Sequence, residues 1–437
     1  MIFKDISILA GGGDEEYKVK ENAAIRISGK NIANIWDSFD DADPADTEGE
    51  EIRSGKGLLV MSAFFNAHGH SPMTLMRGYG ENMTLQHWLF DRIFPFEDKL
   101  TCEAVYWGTT LAMAESLRSG IVSTSDMYYF LDDMIGAAAD SGAKMNVSRA
   151  LVNPAGQPFE ELVSVREMKD SMKYHGAYDG RILIDASLHA EYTSNEDTAI
   201  HLAALTKELG IRMHVHASET ASEHRECKER HGGRTPVRYM ADCGIFDVPA
   251  IAAHCVHIEG EDYDILKEKG VTVAVNTMSN LKLASGVCDV KALLDKGIRV
   301  ALGTDSVASN NSLSMLEEMK VMSLLAKTWR NDPTIISPSE AIMMATRNGA
   351  LAQGRDDSGL VREGMRADLV FLRTDTPNMH PVHDILTNIV LSAGNADIAI
   401  TMADGKILFD NGEFTTIDIE KAAFEAGKAV ADIKSRL

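Results

Sequence analysis

The sequence predicts an α/β protein, a (β/α)8 barrel of the TIM type with a small accessory β-sandwich domain built from both chain ends. Eight apolar runs alternate with helix-rich segments in the middle of the chain, and both ends consist of short alternating strands. The 437 residues suit one large barrel and one small domain. A doubly wound open sheet is the structural alternative, but no G-x-G-x-x-G follows an early strand.

We expect residues 1–57 to form the N-terminal part of the accessory β domain and residues 58–355 to form the barrel. Residues 356–437 then supply the C-terminal part of the accessory domain and a terminal helix. Short alternating segments, typical of half-buried strands, recur at both ends: 6–10, 24–28, 31–36, 367–372, 397–402 and 406–409.

The predicted barrel strands are runs of apolar residues, each followed by a segment with helical periodicity. Several of these helices stop at a glycine, which favours a helix C-cap. The eight runs are 58–65, 120–126, 144–151, 181–188, 211–216, 250–256, 271–275 and 299–303.

Composition excludes several classes of partner. The formal net charge of -22 argues against binding to nucleic acid or an anionic membrane, because both need basic patches.

Five scattered cysteines without a C-x-x-C pair predict reduced thiols. We see no signal peptide and no apolar run near the ~20 residues of a membrane span, so we expect a cytoplasmic protein. The sequence leaves open whether the chain forms a homo-oligomer.

A His-Gly-His sequence closes the first predicted barrel strand and indicates a metal site. Side chains two apart on a strand share a face, so His68 and His70 point the same way. Two neutral imidazoles at one strand end are half of a divalent metal site. A surface loop is the alternative explanation for this pair taken alone.

Three other predicted strands also deliver ligand-type residues to the same rim of the barrel. Strand five ends at His216, strand six at His254 and strand eight at Asp305. The C-terminal ends of barrel strands converge, so these groups meet His68 and His70 at one mouth. His214 shares the face of His216 but lies farther from the rim, so we assign it to the core.

This set predicts one divalent metal ion, held by a few N and O donors with a position left for water. We assign the metal to His68, His70, His216 and Asp305. The end of strand four has no lysine to bridge a second ion. The ligand types suit Zn²⁺ best, with Fe²⁺ as the alternative.

The remaining polar groups at this rim predict metal-assisted hydrolysis. Asp305 is placed to accept a proton from water, and Glu219 to pass a proton to the substrate. His254 is placed to hold or polarise the nucleophile.

Five short motifs together resemble the amidohydrolase superfamily, and within it the deaminases of nucleosides and nucleobases. They are 66–70 (Asn-Ala-His-Gly-His), 215–219 (Val-His-Ala-Ser-Glu), 253–257 (Ala-His-Cys-Val-His), 280–283 (Asn-Leu-Lys-Leu) and 303–305 (Gly-Thr-Asp). The sequence is most similar to the 5-methylthioadenosine/S-adenosylhomocysteine deaminases. This resemblance implies a zinc-dependent aminohydrolase that replaces the 6-amino group of an adenine nucleoside with oxygen.

The resemblance also implies a substrate-binding set, namely Trp88, Glu97, Arg149, His189, Glu219 and Ser309. Glu97 would bind ribose hydroxyls, His189 the purine ring and Arg149 the polar end of the substrate. The candidate substrates are methylthioadenosine, S-adenosylhomocysteine, adenosine and 5′-deoxyadenosine. The loop 153–161 lacks a second arginine to complete a clamp for an amino-acid carboxylate, which argues against S-adenosylhomocysteine.

Three other functions are weighed against this one. The same chemistry on a guanine-like, pterin or chlorotriazine ring would not need a ribose-binding Glu97. A scaffold that has lost its metal would not keep every ligand position filled. A hydrolase of cyclic amides usually has two metals and a bridging lysine, which this chain lacks.

Overall fold

The computed structural model describes all residues from 1 to 437 and contains two sheets, one mixed and one parallel. The seventeen strands are, in chain order, β1 (Ile2–Gly12), β2 (Glu15–Ser28), β3 (Asn31–Trp36), β4 (Ile52–Ser54), β5 (Leu58–Ser62), β6 (Phe64–Gly69), β7 (Ile121–Tyr128), β8 (Lys144–Leu151), β9 (Ile182–Leu188), β10 (Met213–Ala217), β11 (Ala250–His254), β12 (Thr272–Val275), β13 (Arg299–Leu302), β14 (Leu369–Arg373), β15 (Ile398–Ala403), β16 (Lys406–Asp410) and β17 (Glu413–Phe414).

The parallel sheet is the predicted barrel. Strands β6 to β13 lie side by side in chain order, and an isolated parallel bridge between Gly69 and Asp305 joins the last strand to the first. The Asp305 amide donates to the His68 carbonyl at 3.0 Å. Asn66 reinforces this seam, since its side chain accepts from the Thr304 amide at 3.0 Å. Closure of the barrel therefore brings the strand end with His68 and His70 next to the one with Asp305.

Helices surround the barrel and follow its strands, which confirms the predicted (β/α)8 fold. No helix is both long enough and apolar enough to cross a bilayer. The α-helices are Pro44–Thr47, Leu85–Trp88, Phe94–Glu97, Cys102–Arg118, Leu131–Ser141, Val163–Ser171, Ala177–Gly180, Glu196–Leu209, Ala221–Arg230, Pro236–Asp242, Asp262–Glu268, Thr277–Lys282, Val290–Asp295, Met315–Arg330, Pro338–Ala345, Arg347–Ala352, Ile385–Leu391 and Ile419–Ser435.

The mixed sheet is built from both chain ends, as predicted. Its strands run in the order β17-β16-β15-β14-β5-β1-β2-β3, and β4 pairs with β1. Bridges from Gly11 to Val361 and from Asn31 to Arg366 join the two ends of the chain beside this sheet. Fifteen buried apolar residues, most of them on the strands of this sheet, form its hydrophobic core.

The predicted strand 58–65 is two strands in the structure. Residues of β5 pair with β1 and β14 in the mixed sheet, whereas β6 begins the barrel beside β7. Both halves are apolar and buried, so periodicity shows no break at Ala63. The predicted domain bounds remain a prediction. They assign β5 to the barrel, although β5 pairs within the mixed sheet.

Candidate active site

Four predicted metal ligands converge at the C-terminal mouth of the barrel. The Asp305 Oδ1 atom lies 3.5 Å from His68 Nε2 and 3.3 Å from His70 Nε2. His216 Nε2 lies 3.4 Å from His70 Nε2. Ligands about 2.1 Å from a tetrahedral zinc ion are about 3.4 Å from one another. These separations fit one ion bound between the four side chains.

The imidazoles present the Nε2 atoms that such an ion needs. Nδ1 of His70 donates to the Met127 carbonyl at 2.6 Å, and Nδ1 of His216 donates to the His189 carbonyl at 2.6 Å. In each ring, when it is neutral, this hydrogen bond leaves the lone pair on Nε2. The His68 Nε2 atom is buried and has no hydrogen-bond partner. An orphaned buried nitrogen is costly, and a bound metal ion would satisfy it.

Burial also keeps two of these imidazoles neutral, as metal ligands must be. It lowers the pKa of His68 to about 3 and that of His216 well below its usual value. His214 Nε2 lies 2.9 Å from His68 Nδ1. His214 is buried, as predicted, and this contact also orients the His68 ring.

Asp305 is held by hydroxyl donors on the oxygen that faces away from the histidines. Its Oδ2 atom accepts from Ser279 Oγ at 2.5 Å and from Ser309 Oγ at 2.9 Å. The backbone φ of Asp305 is +57°, a left-handed conformation that is strained for aspartate. Two hydrogen bonds and a strained backbone thus aim Oδ1 at the site.

Glu219 and His254 lie together beside the metal ligands. Their side chains approach to 3.9 Å, between His254 Nε2 and Glu219 Oε2. Ser285 Oγ donates to Glu219 Oε1 at 3.2 Å, and His254 Nδ1 lies 2.8 Å from Asn280 Oδ1. Burial raises the pKa of Glu219. A buried carboxyl with a raised pKa is suited to donate a proton.

These groups form the floor of an inner pocket of about 650 Å³. Most of its remaining lining is apolar or aromatic, which suits a flat heterocycle. The inner pocket brings together nine of the sequence-predicted site residues: Trp88, Glu97, His189, Glu219, His254, Ser309, His70, His216 and Asp305. His68 lies beneath it and is fully buried.

The upper wall of the inner pocket carries Glu97 and His189. Tyr128 Oη donates to Glu97 Oε1 at 2.7 Å, and burial raises the pKa of Glu97 to about 7. His189 Nδ1 lies 3.1 Å from Thr193 Oγ1. Both side chains therefore have fixed orientations and retain one polar atom for a ligand.

Arg149 does not line the inner pocket. It lies in a larger cavity directly outside, and its Nε donates to Glu167 Oε2 at 2.5 Å. Arg149 thus pairs with a carboxylate of the protein itself, whereas the resemblance implies that it contacts the polar end of the substrate.

Sequence reasoning missed three residues that hold the site in place, Ser279, Asn280 and Glu223. Asn280 belongs to a motif that had no assigned role, and Ser279 precedes it. Glu223 accepts from the Glu219 amide at 2.6 Å. The signal available for Glu223 is a capping box, Thr220 followed three residues later by glutamate, which orders the turn after Glu219.

Known proteins share this architecture. Residues 59–408 match the amidohydrolase family. The 5-methylthioadenosine/S-adenosylhomocysteine deaminase of Dictyoglomus thermophilum is 38% identical over 435 residues, which cover 99% of this chain and 99% of the relative.

Solved structures agree with this assignment. An adenosine deaminase from Xanthomonas campestris with bound zinc has a TM-score of 0.89 at 27% identity, over 99% of this chain and 98% of that chain. The atrazine chlorohydrolase TrzN from Arthrobacter aurescens TC1, complexed with zinc, has a TM-score of 0.89 at 21% identity, over 98% and 99% respectively. The second likeness concerns the fold alone. The chain belongs to the amidohydrolase family and is similar along its whole length to the 5-methylthioadenosine/S-adenosylhomocysteine deaminases.

Proposed function

We propose that this protein is a zinc-dependent aminohydrolase that deaminates an adenine nucleoside to the inosine analogue and ammonia. One observation carries the proposal: a single pocket has three of the four metal ligands, Glu219 and His254 on its floor and Glu97 on its wall. The named activity of a relative that is 38% identical over 99% of this chain supports the substrate class.

The four predicted ligand residues fit a single zinc ion. His68, His70, His216 and Asp305 would hold it, and the zinc bound by a structural neighbour supports this choice of metal. When bound, a divalent ion supplies Lewis acidity, which makes water acidic enough to be a nucleophile near neutral pH.

The protein side chains would move the protons of the reaction. Glu219, protonated at the start, donates to the ring nitrogen next to the amino-bearing carbon, which makes that carbon electrophilic. Asp305 accepts one proton of the attacking water and delivers it to the amino group, which leaves as ammonia. The second water proton returns to Glu219, so both carboxyl groups end the cycle as they began. His254 orients the water from the other side.

Glu97 distinguishes a nucleoside deaminase from an enzyme that acts on a free heterocyclic ring. An ionised carboxylate accepts hydrogen bonds from both ribose hydroxyls, whereas a free base has no group to place there. Because the pKa of Glu97 is about 7, its ionised fraction increases as the pH rises through neutrality. The KM for a riboside should therefore fall over that range.

We expect Glu97→Gln to raise the KM for methylthioadenosine by about 10- to 100-fold, since hydrogen bonds to a charged group contribute about 1.5–3 kcal/mol each. The KM should also lose its pH dependence near 7. Ammonia release from methylthioadenosine and adenine, measured from about pH 6 to pH 8, tests both points. Glu103→Gln, an exposed change on the next helix, is the control. Unchanged kinetics in Glu97→Gln, with adenine as the better substrate, would contradict the proposal.

A further inference from the structure

A second cavity opens directly outside the inner pocket, and we call it the outer chamber. It has an empty volume of about 1420 Å³. Five residues line both spaces and so mark the passage between them: Phe94, Glu97, Tyr129, His189 and Tyr192. The rest of the outer chamber is lined by Phe90, Asp98, Phe130, Arg149, Val152, Pro154, Glu167 and Thr193.

The position of Glu97 determines which part of a nucleoside would enter the outer chamber. In the proposed function, the amino group of the purine lies at the metal ligands and the ribose hydroxyls lie at Glu97. Glu97 stands at the passage, so the 5′ carbon, on the far side of the sugar, faces outward. The outer chamber is thus the space for the 5′ substituent.

Arg149 is the only cationic side chain of the outer chamber, and its guanidinium is already engaged. Nε donates to Glu167 at 2.5 Å, Nη1 donates to the Ala150 carbonyl at 2.7 Å, and Cζ lies 4.6 Å from the Tyr129 ring centroid. Two of the three guanidinium nitrogens therefore have partners within the protein. A carboxylate ligand could reach only the remaining N–H groups and would share the cation with the Glu167 carboxylate.

The other charged groups of the outer chamber are carboxyls. Glu97, Asp98 and Glu167 face one arginine, so an anionic substituent would meet an excess of like charge. Phe90, Phe94 and Val152 supply apolar wall, and Phe90 is 63% exposed at the rim. Such walls suit a thioether, whose sulfur and carbon atoms bind by burial and by contact with aromatic rings.

We infer that the outer chamber selects uncharged or cationic 5′-thioether substituents over carboxylates, and that Glu167 is the specificity-determining residue. The inference rests on the proposed nucleoside deamination. It places methylthioadenosine ahead of substrates whose 5′ substituent ends in a carboxylate. Glu167 acts by holding the Arg149 guanidinium and by adding its own negative charge.

A pair of synthetic substrates of equal size isolates the charge. One is adenosine carrying a 5′-S-(2-carboxyethyl) group, and the other is its primary amide. We expect the zinc-loaded protein to give a kcat/KM about tenfold higher for the amide, and Glu167→Gln to reduce this ratio to about twofold. Glu160→Gln, a change of the carboxylate that pairs with Lys169, is the matched control and should retain the original ratio. Added salt should also lower the ratio, because exposed charges are screened.

An acid that reacts as well as its amide, or a ratio that Glu167→Gln leaves unchanged, would overturn the inference while leaving the deamination intact. No ammonia from either compound or from methylthioadenosine would contradict the proposed function itself. In that case the Kd ratio of acid to amide, measured by calorimetry on both proteins, still decides whether Glu167 sets a charge preference.

Discussion

Replacing Asp305 with asparagine should lower kcat for ammonia release from methylthioadenosine by about 10³-fold or more. An amide cannot accept the proton of the attacking water, and general acid–base catalysis contributes about 10²–10⁴-fold. Steady-state kinetics together with bound zinc, measured by emission spectroscopy on the same sample, separates loss of chemistry from loss of metal.

Asp262→Asn provides the control for this substitution. Asp262 is also a buried aspartate that accepts a hydroxyl hydrogen bond, from Thr235, but it lies outside the inner pocket. It should keep its zinc and its kcat within a few-fold. If Asp305→Asn retained more than about a tenth of the wild-type kcat, the proton-accepting role would be wrong.

The second large effect should come from Glu219→Gln, with kcat reduced by about 10²–10⁴-fold and zinc content unchanged. Glu219 is no metal ligand in this geometry, and its raised pKa keeps a proton available for the ring nitrogen. A glutamine can donate a hydrogen bond but cannot transfer the proton. Kinetics and metal analysis on one preparation measure both quantities.

Glu226→Gln is the matched control for Glu219→Gln, because Glu226 lies on the helix Ala221–Arg230 that follows Glu219 and pairs with exposed arginines. It should behave like the wild-type protein. Loss of zinc in Glu219→Gln would move Glu219 into the ligand set, and a kcat within fivefold of wild type would remove it from the chemistry.

Much of the fold follows from the sequence, because buried parallel strands are near-continuous apolar runs that stand out between helices. The strand Lys144–Leu151 has the bounds that the sequence predicts. The division of 58–65 into β5 and β6 does not follow, since a change of partner strand leaves no mark in a run that is buried on both sides of the break.

The positions of the candidate metal ligands could be predicted from the sequence, because the C-terminal ends of barrel strands converge. Four strands of the barrel deliver histidine or aspartate to one mouth, and the family motifs name the same positions. The hydrogen bonds that hold these side chains in place could not be predicted in the same way. Ser279 and Glu167 act through hydrogen bonds to residues far away in the chain, 26 and 18 positions respectively. Residue type and spacing do not reveal such pairs.

We expect a single zinc ion, bound by this site, to make the chain a nucleoside deaminase. The decisive experiment is titration of Zn²⁺ into protein stripped with a chelator, with ammonia release from methylthioadenosine as the readout. Activity should be absent at the start, rise linearly and reach its plateau at one ion per chain. Activity in the stripped protein, a plateau at two ions, or zinc binding without deamination would show that this protein is not a nucleoside deaminase with one zinc ion.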